Sequence, residues 1–127
     1  LEEAARTAAA ALAEAVNLVG LLAVEFFVAT DGRLLFNEMA PRPHNSFHWT
    51  IEGCATSQFT QLARVLTGLG FGDTTPYGRW QMDNLLGQHL DQVPGLLADV
   101  GNHLHLYGKP EPSQDRKMGH VSRRLDD

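Results

Sequence analysis

The sequence predicts an α+β fold, an antiparallel sheet with packed helices followed by a small β-rich segment, on three observations. Residues 1–17 are dense in Ala, Leu and Glu, all strong helix formers. Two apolar runs flank Asp31-Gly32, the strongest short signal for an antiparallel hairpin. Beyond Gly72 the chain turns to short apolar runs separated by glycine and proline, as small β-rich domains do. The boundary expected from this change divides the chain into residues 1–72 and 73–127.

Each element follows from local chemistry. The first helix carries Glu2 and Glu3 in its opening turn, where the helix dipole favours acids, but no capping residue precedes Leu1. It reads as a helix entered from inside a larger domain. After Gly20, LLAVEFFVA is rich in β-branched and aromatic residues and reads as a buried strand. RLLFNEM returns from the Asp31-Gly32 turn. Pro41 and Pro43 make APRPHNS a stiff loop, neither helix nor central strand. SQFTQLARVL places Phe59, Leu62, Ala63, Val65 and Leu66 at helical spacing, with Ser57 as cap. Gly68–Gly78 is a connector, WQMDNLLG a strand, VPGLLADV a short helix with Pro94 near its start, and HLHLYG an alternating strand. RKMGHVS then pairs back against that strand.

Composition narrows the function classes. With 43% hydrophobic and 20% charged residues the chain is ordinary globular protein. A net charge of −5 argues against nucleic-acid binding through a general basic field. A single cysteine, Cys54, excludes an internal disulfide framework and fits a reducing compartment as a buried small residue. No apolar run reaches the roughly 18 residues of a membrane span, and the N-terminus lacks the basic region of a signal peptide, so a cytoplasmic location is expected.

A two-residue turn at Asp31-Gly32 sets Thr30 opposite Arg33, Phe27 opposite Phe36 and Glu25 opposite Glu38. Directly opposed side chains have Cβ atoms roughly 5 Å apart, where like charges repel. Three arrangements relieve the repulsion. The carboxylates hold a divalent cation, they share a proton, or each pairs with an arginine such as Arg33 or Arg42.

The stretch VEFFVATDGRLLFNEMAPRPHNSFHWT (24–50), with TSQF (56–59), NLLG (84–87), HLHLYGK and RKMGHV, resembles the ATP-grasp family. Within that family it is similar to the 5-(carboxyamino)imidazole ribonucleotide synthases, the biotin-independent carboxylating ligases of purine biosynthesis. The resemblance covers residues 18–121. It implies the C-terminal part of an ATP-grasp domain, an ATP and magnesium requirement, and aminoimidazole ribonucleotide and bicarbonate as substrates. It further implies Glu25 and Glu38 as magnesium ligands, with Asn37 and Glu38 at the nucleotide. Arg42, His44, Asn45 and Ser46 would line the place where bicarbonate is activated and the ribonucleotide binds, Arg42 and His44 with catalytic parts. Arg116 and Lys117 would reach the same ligand. The family is commonly dimeric, and its glycine-rich phosphate loop and nucleotide lysines come from an earlier lobe. No such loop occurs here and no lysine precedes Lys109, so a missing N-terminal portion is expected and the chain alone should not turn over.

Three positions depart from the family pattern. Phe47 and Asp115 stand where glycine is usual, and Asp83 replaces an apolar residue before NLLG. Of the remaining singular residues, His48 and Trp49 read as packing at the end of the loop and Trp80 as core. His89 reads as surface, and His103 and His105 as hydrogen-bonded groups on one strand face. His120 falls in the specific RKMGH segment without an assigned role. Two further readings compete: a formate-dependent phosphoribosylglycinamide formyltransferase, and a non-catalytic module that keeps the fold for subunit contacts.

Overall fold

The computed structural model describes residues 1–125. Its elements are α1 (Glu2–Ala15), β1 (Ala23–Val28), β2 (Leu34–Ala40), α2 (Thr50–Gly53), α3 (Gln58–Leu66), β3 (Arg79–Leu86), α4 (Val93–Ala98), β4 (Asn102–Leu106) and β5 (Lys117–Leu125). Single 3₁₀ segments occur at Asn45–Phe47 and Gly87–Gln92. They form two compact units. One comprises Leu1–Phe47 with Gln58–Gly72, the other His48–Ser57 with the chain from Asp73 onward.

In the first unit, β1 and β2 make an antiparallel pair. Their turn has three loop residues, not the two that Asp31-Gly32 predicts. Ala29 and Arg33 close it, the Ala29 N–H donating to the Arg33 carbonyl at 2.9 Å. Gly32 takes φ 84°, the left-handed conformation this loop demands of its last residue. Phe27 therefore pairs with Leu35, and neither the Phe27–Phe36 nor the Thr30–Arg33 pairing forms. A bulge at Asn37 then absorbs the extra residue, so that Ala23, Val24 and Glu25 face Ala40, Met39 and Glu38. The expected opposition of Glu25 and Glu38 is thus correct because one irregularity cancels another.

The reading of β1 as a buried strand does not hold in this chain. Ala23 is its one buried residue, while Phe27 and Val28, with Leu35, Phe36 and Met39 of β2, are exposed. A two-stranded ribbon whose apolar residues point to both faces needs cover on both sides. In α3 the expected helix is present, but its buried residues are Gln58 and Gln61, while Phe59 and Leu66 are exposed. The glutamine side chains are drawn inward by backbone partners: Gln61 Oε1 accepts the Gly72 N–H at 2.9 Å.

The second unit is a three-stranded antiparallel sheet in the order β3-β5-β4, with Leu85, Met118 and Val121 in its core. The C-terminal strand pairs with β4 as expected and also with β3, which makes it the central strand. Asp83 is exposed and paired with Arg123 at 3.0 Å, so no carboxylate enters the sheet interior. Trp49 and Trp80 pack on Gly53, where an added Cβ would lie 2.6 Å from Trp49 Cε3. Cys54 is buried, and burial together with the Asp73 carboxylate pushes its thiol pKa up. His89, expected at the surface, is half-buried, and its Nδ1 faces the Leu86 N–H at 3.4 Å.

One face of this sheet carries a histidine stack. His120 is 2% exposed, lies 4.6 Å from the ring of His105 and 5.0 Å from that of His48, and its Nδ1 is 2.9 Å from the Tyr107 hydroxyl. His105 Nε2 contacts Glu52 Oε1 at 2.6 Å. Burial, then the facing His105 and His48, lower the His120 pKa to about 4. The unfolded chain binds that proton near pH 6.5 and the folded chain does not, so stability conferred by a neutral His120 is complete above pH 6.5 and declines toward pH 4. The depression corresponds to about 3 kcal/mol. Urea unfolding at pH 7.5 and pH 4.5 should show this loss, and His120→Phe should flatten the dependence.

Candidate metal centre

The bulge that corrects the hairpin register also builds the site. Where two residues of one strand oppose one of the other, the strand twists and re-aims its side chains. Asn37 and Glu38 are both turned toward Glu25: Asn37 Nδ2 donates to Glu25 Oε2 at 3.3 Å. His44, beyond the proline-bracketed loop, completes the cluster. Its Nε2 lies 3.1 Å from Glu38 Oε1 and 3.6 Å from Glu25 Oε1. One potential ligand atom from each of Glu25, Glu38 and His44 falls within 4.8 Å of the others.

The ring of His44 is held at both ends. Ser46 Oγ is 2.7 Å from Nδ1, and the Ser46 backbone N–H points at the same nitrogen at 3.4 Å. A backbone N–H can only donate, so Nδ1 is an acceptor and the ring proton sits on Nε2, from which it is donated to Glu38. The backbone of His44 is held by Gln58, whose Oε1 accepts the His44 N–H at 2.8 Å and whose Nε2 donates to the His44 carbonyl at 2.9 Å. The loop belongs to no ladder, so the buried His44 N–H relies on this side chain, while the His44 carbonyl also accepts the Phe47 N–H at 3.0 Å.

The arginine pairing weighed for the carboxylates is not the one that forms. Arg33 is committed to Asp31 at 2.7 Å, which with the Arg33 backbone N–H holds the Asp31 pKa below its usual value. Arg42 is exposed and donates from Nη1 to the Pro43 carbonyl at 3.0 Å.

The donor chemistry fits magnesium. Magnesium takes oxygen ligands, keeps several waters and uses one or two carboxylates together with substrate phosphates. Glu25 and Glu38 have side chains 41% and 56% exposed, leaving room for both water and phosphate oxygens. His44, 11% exposed and within 3.1 Å of Glu38 Oε1 through Nε2, orients Glu38 and leaves the carboxylate oxygens as the groups that could hold such an ion.

The expected site residues thus divide. Glu25, Asn37, Glu38, His44 and Ser46 come together in the first unit, with Arg42 and Asn45 on the same loop. Arg116 and Lys117 belong to the second unit. There Arg116 Nη1 donates to the carbonyls of Pro110 and Glu111 at 2.9 and 3.0 Å, and Lys117 opens β5 with an exposed side chain. Asp115, where glycine is usual, takes φ 60°, a conformation aspartate tolerates better than most residues. Gln88 supports it twice, accepting from its N–H at 2.9 Å and donating to its Oδ1 at 3.0 Å. Phe47, also at a usual glycine, has no positive φ and is 43% exposed. Gln58 is the participant that sequence reasoning passed over. A polar residue in the first turn of an amphipathic helix looks solvent-facing, and its place in TSQF was the one available signal.

Residues 1–59 match the model of the ATP-grasp domain, and residues 81–127 match that of the phosphoribosylaminoimidazole carboxylase C-terminal domain. An N5-carboxyaminoimidazole ribonucleotide synthase of Brucella melitensis is 51% identical over 95% of this chain, which covers 33% of that protein. The crystal structure of a phosphoribosylaminoimidazole carboxylase ATPase subunit from Aquifex aeolicus superposes with a TM-score of 0.87 at 40% identity, covering 100% of this chain and 39% of that one. An N5-carboxyaminoimidazole synthase from Aspergillus clavatus, solved with ADP and 5-aminoimidazole ribonucleotide, matches with a TM-score of 0.75 at 34% identity, over 84% of this chain and 30% of that one. The chain spans about a third of the length of the curated relatives it matches.

Proposed function

Since the chain belongs to the ATP-grasp family, in its branch of N5-carboxyaminoimidazole ribonucleotide synthases, we propose that it supplies the metal-binding and bicarbonate-activating part of such an enzyme. The observation that carries this reading is the convergence of paired carboxylates, the bulged Asn37 and the imidazole of His44 on one open face. The match of residues 81–127 to a carboxylase C-terminal domain favours carboxylation over formyl transfer.

In the proposed reaction a bicarbonate oxygen attacks the γ-phosphorus of ATP and ADP leaves, giving carboxyphosphate. The exocyclic amine of aminoimidazole ribonucleotide then attacks the carboxyl carbon, phosphate leaves, and the nitrogen loses a proton. Magnesium held by Glu25 and Glu38 would neutralise charge on the phosphate oxygens. Asn37 and Glu38 bound the nucleotide side of the site. Arg42 offers a guanidinium that can fork onto carboxylate or phosphate oxygens once released from the Pro43 carbonyl. His44 offers an Nε2–H donor to an oxyanion once released from Glu38, and Asn45 and Ser46 fix the loop around it. Arg116 and Lys117 of the second unit are assigned to the ribonucleotide by family likeness.

The rest of the protein would cover the exposed faces of β1 and β2 and bring the glycine-rich loop and lysines that grip the triphosphate. Alone, this chain should bind ATP weakly and not turn over. Dimerisation and a cytoplasmic location carry over from the family as part of the proposal. Among the described residues no helix is long and apolar enough to cross a membrane. The test is phosphate release from ATP by the complete enzyme. It should require both bicarbonate and aminoimidazole ribonucleotide. Release that responds to formate and not to bicarbonate would overturn the reading, as would ribonucleotide-dependent hydrolysis by the 127-residue chain alone.

A further inference from the structure

We infer that Gln58 is a positioning residue for His44, acting through the backbone of the loop and not by touching substrate; the inference rests on the proposed role of His44. A single buried side-chain amide engages both polar groups of one residue, accepting from the His44 N–H at 2.8 Å and donating to the His44 carbonyl at 2.9 Å. This pattern is that of a strand partner, supplied by a side chain where no strand exists. The same carbonyl also accepts the Phe47 N–H at 3.0 Å, which starts the 3₁₀ turn carrying Ser46. Gln58 therefore governs two things together: where the His44 Cα sits, and whether Ser46 reaches Nδ1 to set the ring's tautomer.

The chemistry makes the amide hard to replace. A glutamate at 58 keeps the acceptor for the His44 N–H but loses the donor to the carbonyl and sets its own charge against it. A methionine keeps the approximate shape and loses both bonds. Either change leaves Glu25, Asn37 and Glu38 in place on the hairpin, so it should disturb His44 while sparing the carboxylates.

The test uses the ¹⁵N-labelled 127-residue chain at pH 8, reading the two ring nitrogens of His44 by long-range ¹H–¹⁵N correlation. Wild type should show a bare Nδ1 and a protonated Nε2, well separated. In Gln58→Met the two signals should converge as the tautomers average, while amide signals of the second unit stay unchanged. Separated, wild-type ring signals in a folded Gln58→Met chain would overturn the inference. If the methionine variant unfolds, Gln58→Glu decides: partial convergence supports positioning, and an unaltered ring overturns it. In the complete enzyme the same variants should lower kcat roughly 10- to 100-fold while leaving KM for ATP unchanged. A wild-type enzyme without carboxylation activity would sink the functional reading, and the ring signals would still report on Gln58.

Discussion

Glu38→Gln in the complete enzyme should lower magnesium-dependent turnover by roughly 100-fold or more, and it should leave the fold as stable as before. The loss follows from the charge. A glutamine oxygen still fits the place of Glu38 Oε1 and still accepts from His44 Nε2, but it binds a hard divalent cation far more weakly. Losing about 3 kcal/mol of transition-state charge stabilisation is enough for that factor. Stability should move the other way if it moves at all. Glu38 faces Glu25 across the hairpin, its side chain is 56% exposed, and neutralising it removes a like-charge pair costing up to about 1 kcal/mol. Phosphate release and thermal unfolding of the same preparation check both signs. A drop in activity accompanied by an equal drop in stability would assign Glu38 to the fold and not to the metal.

Gly119→Ala should strongly destabilise the second unit. Gly119 lies in the central strand β5, paired with Leu85 of β3 on one side and Leu106 of β4 on the other. An added Cβ would run into the His105 carbonyl oxygen, a backbone atom of the neighbouring strand, and would crowd Leu106 Cδ2 at 3.1 Å. A flexible side chain could swing aside, but a ladder carbonyl cannot move without breaking pairing. The same displacement would disturb His105, hence its contact with Glu52 and its stacking on His120. Overpacking of this kind costs about 3 kcal/mol. Circular dichroism should show a midpoint roughly 10 °C lower. An unchanged midpoint would mean that the strands can separate locally without cost.

The legible parts of the sequence were those where local chemistry decides. The helix of residues 2–15, the Asp31-Gly32 turn region, the irregular Pro41–Pro43 segment and the strand at 79–86 all follow from propensity and punctuation. The hairpin register was only half legible. Asp31-Gly32 announces a turn, but whether two or three residues form its loop depends on strand twist, and the Asn37 bulge has no glycine to mark it. Burial in the first unit was the least legible property. Apolar residues of β1, β2 and α3 signal a wish for cover, while the glutamines at 58 and 61 are buried for the sake of backbone groups far along the chain. Likewise the carboxylate pair was visible from the register, but its partner His44 was not. That link depends on a loop whose path is set by Gln58, a tertiary contact without a sequence period.

The place where a divalent ion binds tests Glu25 and Glu38 most directly. Manganese, added alone to the isotope-labelled chain, broadens nearby resonances and so locates its own site. The side-chain amide of Asn37 and the ring of His44 should broaden first, and Glu25→Gln or Glu38→Gln should abolish that effect at the same ion concentration. Broadening that centres on other acidic residues, such as Glu2 and Glu3, or that persists unchanged in both variants, would contradict the assignment of Glu25 and Glu38 as the metal ligands.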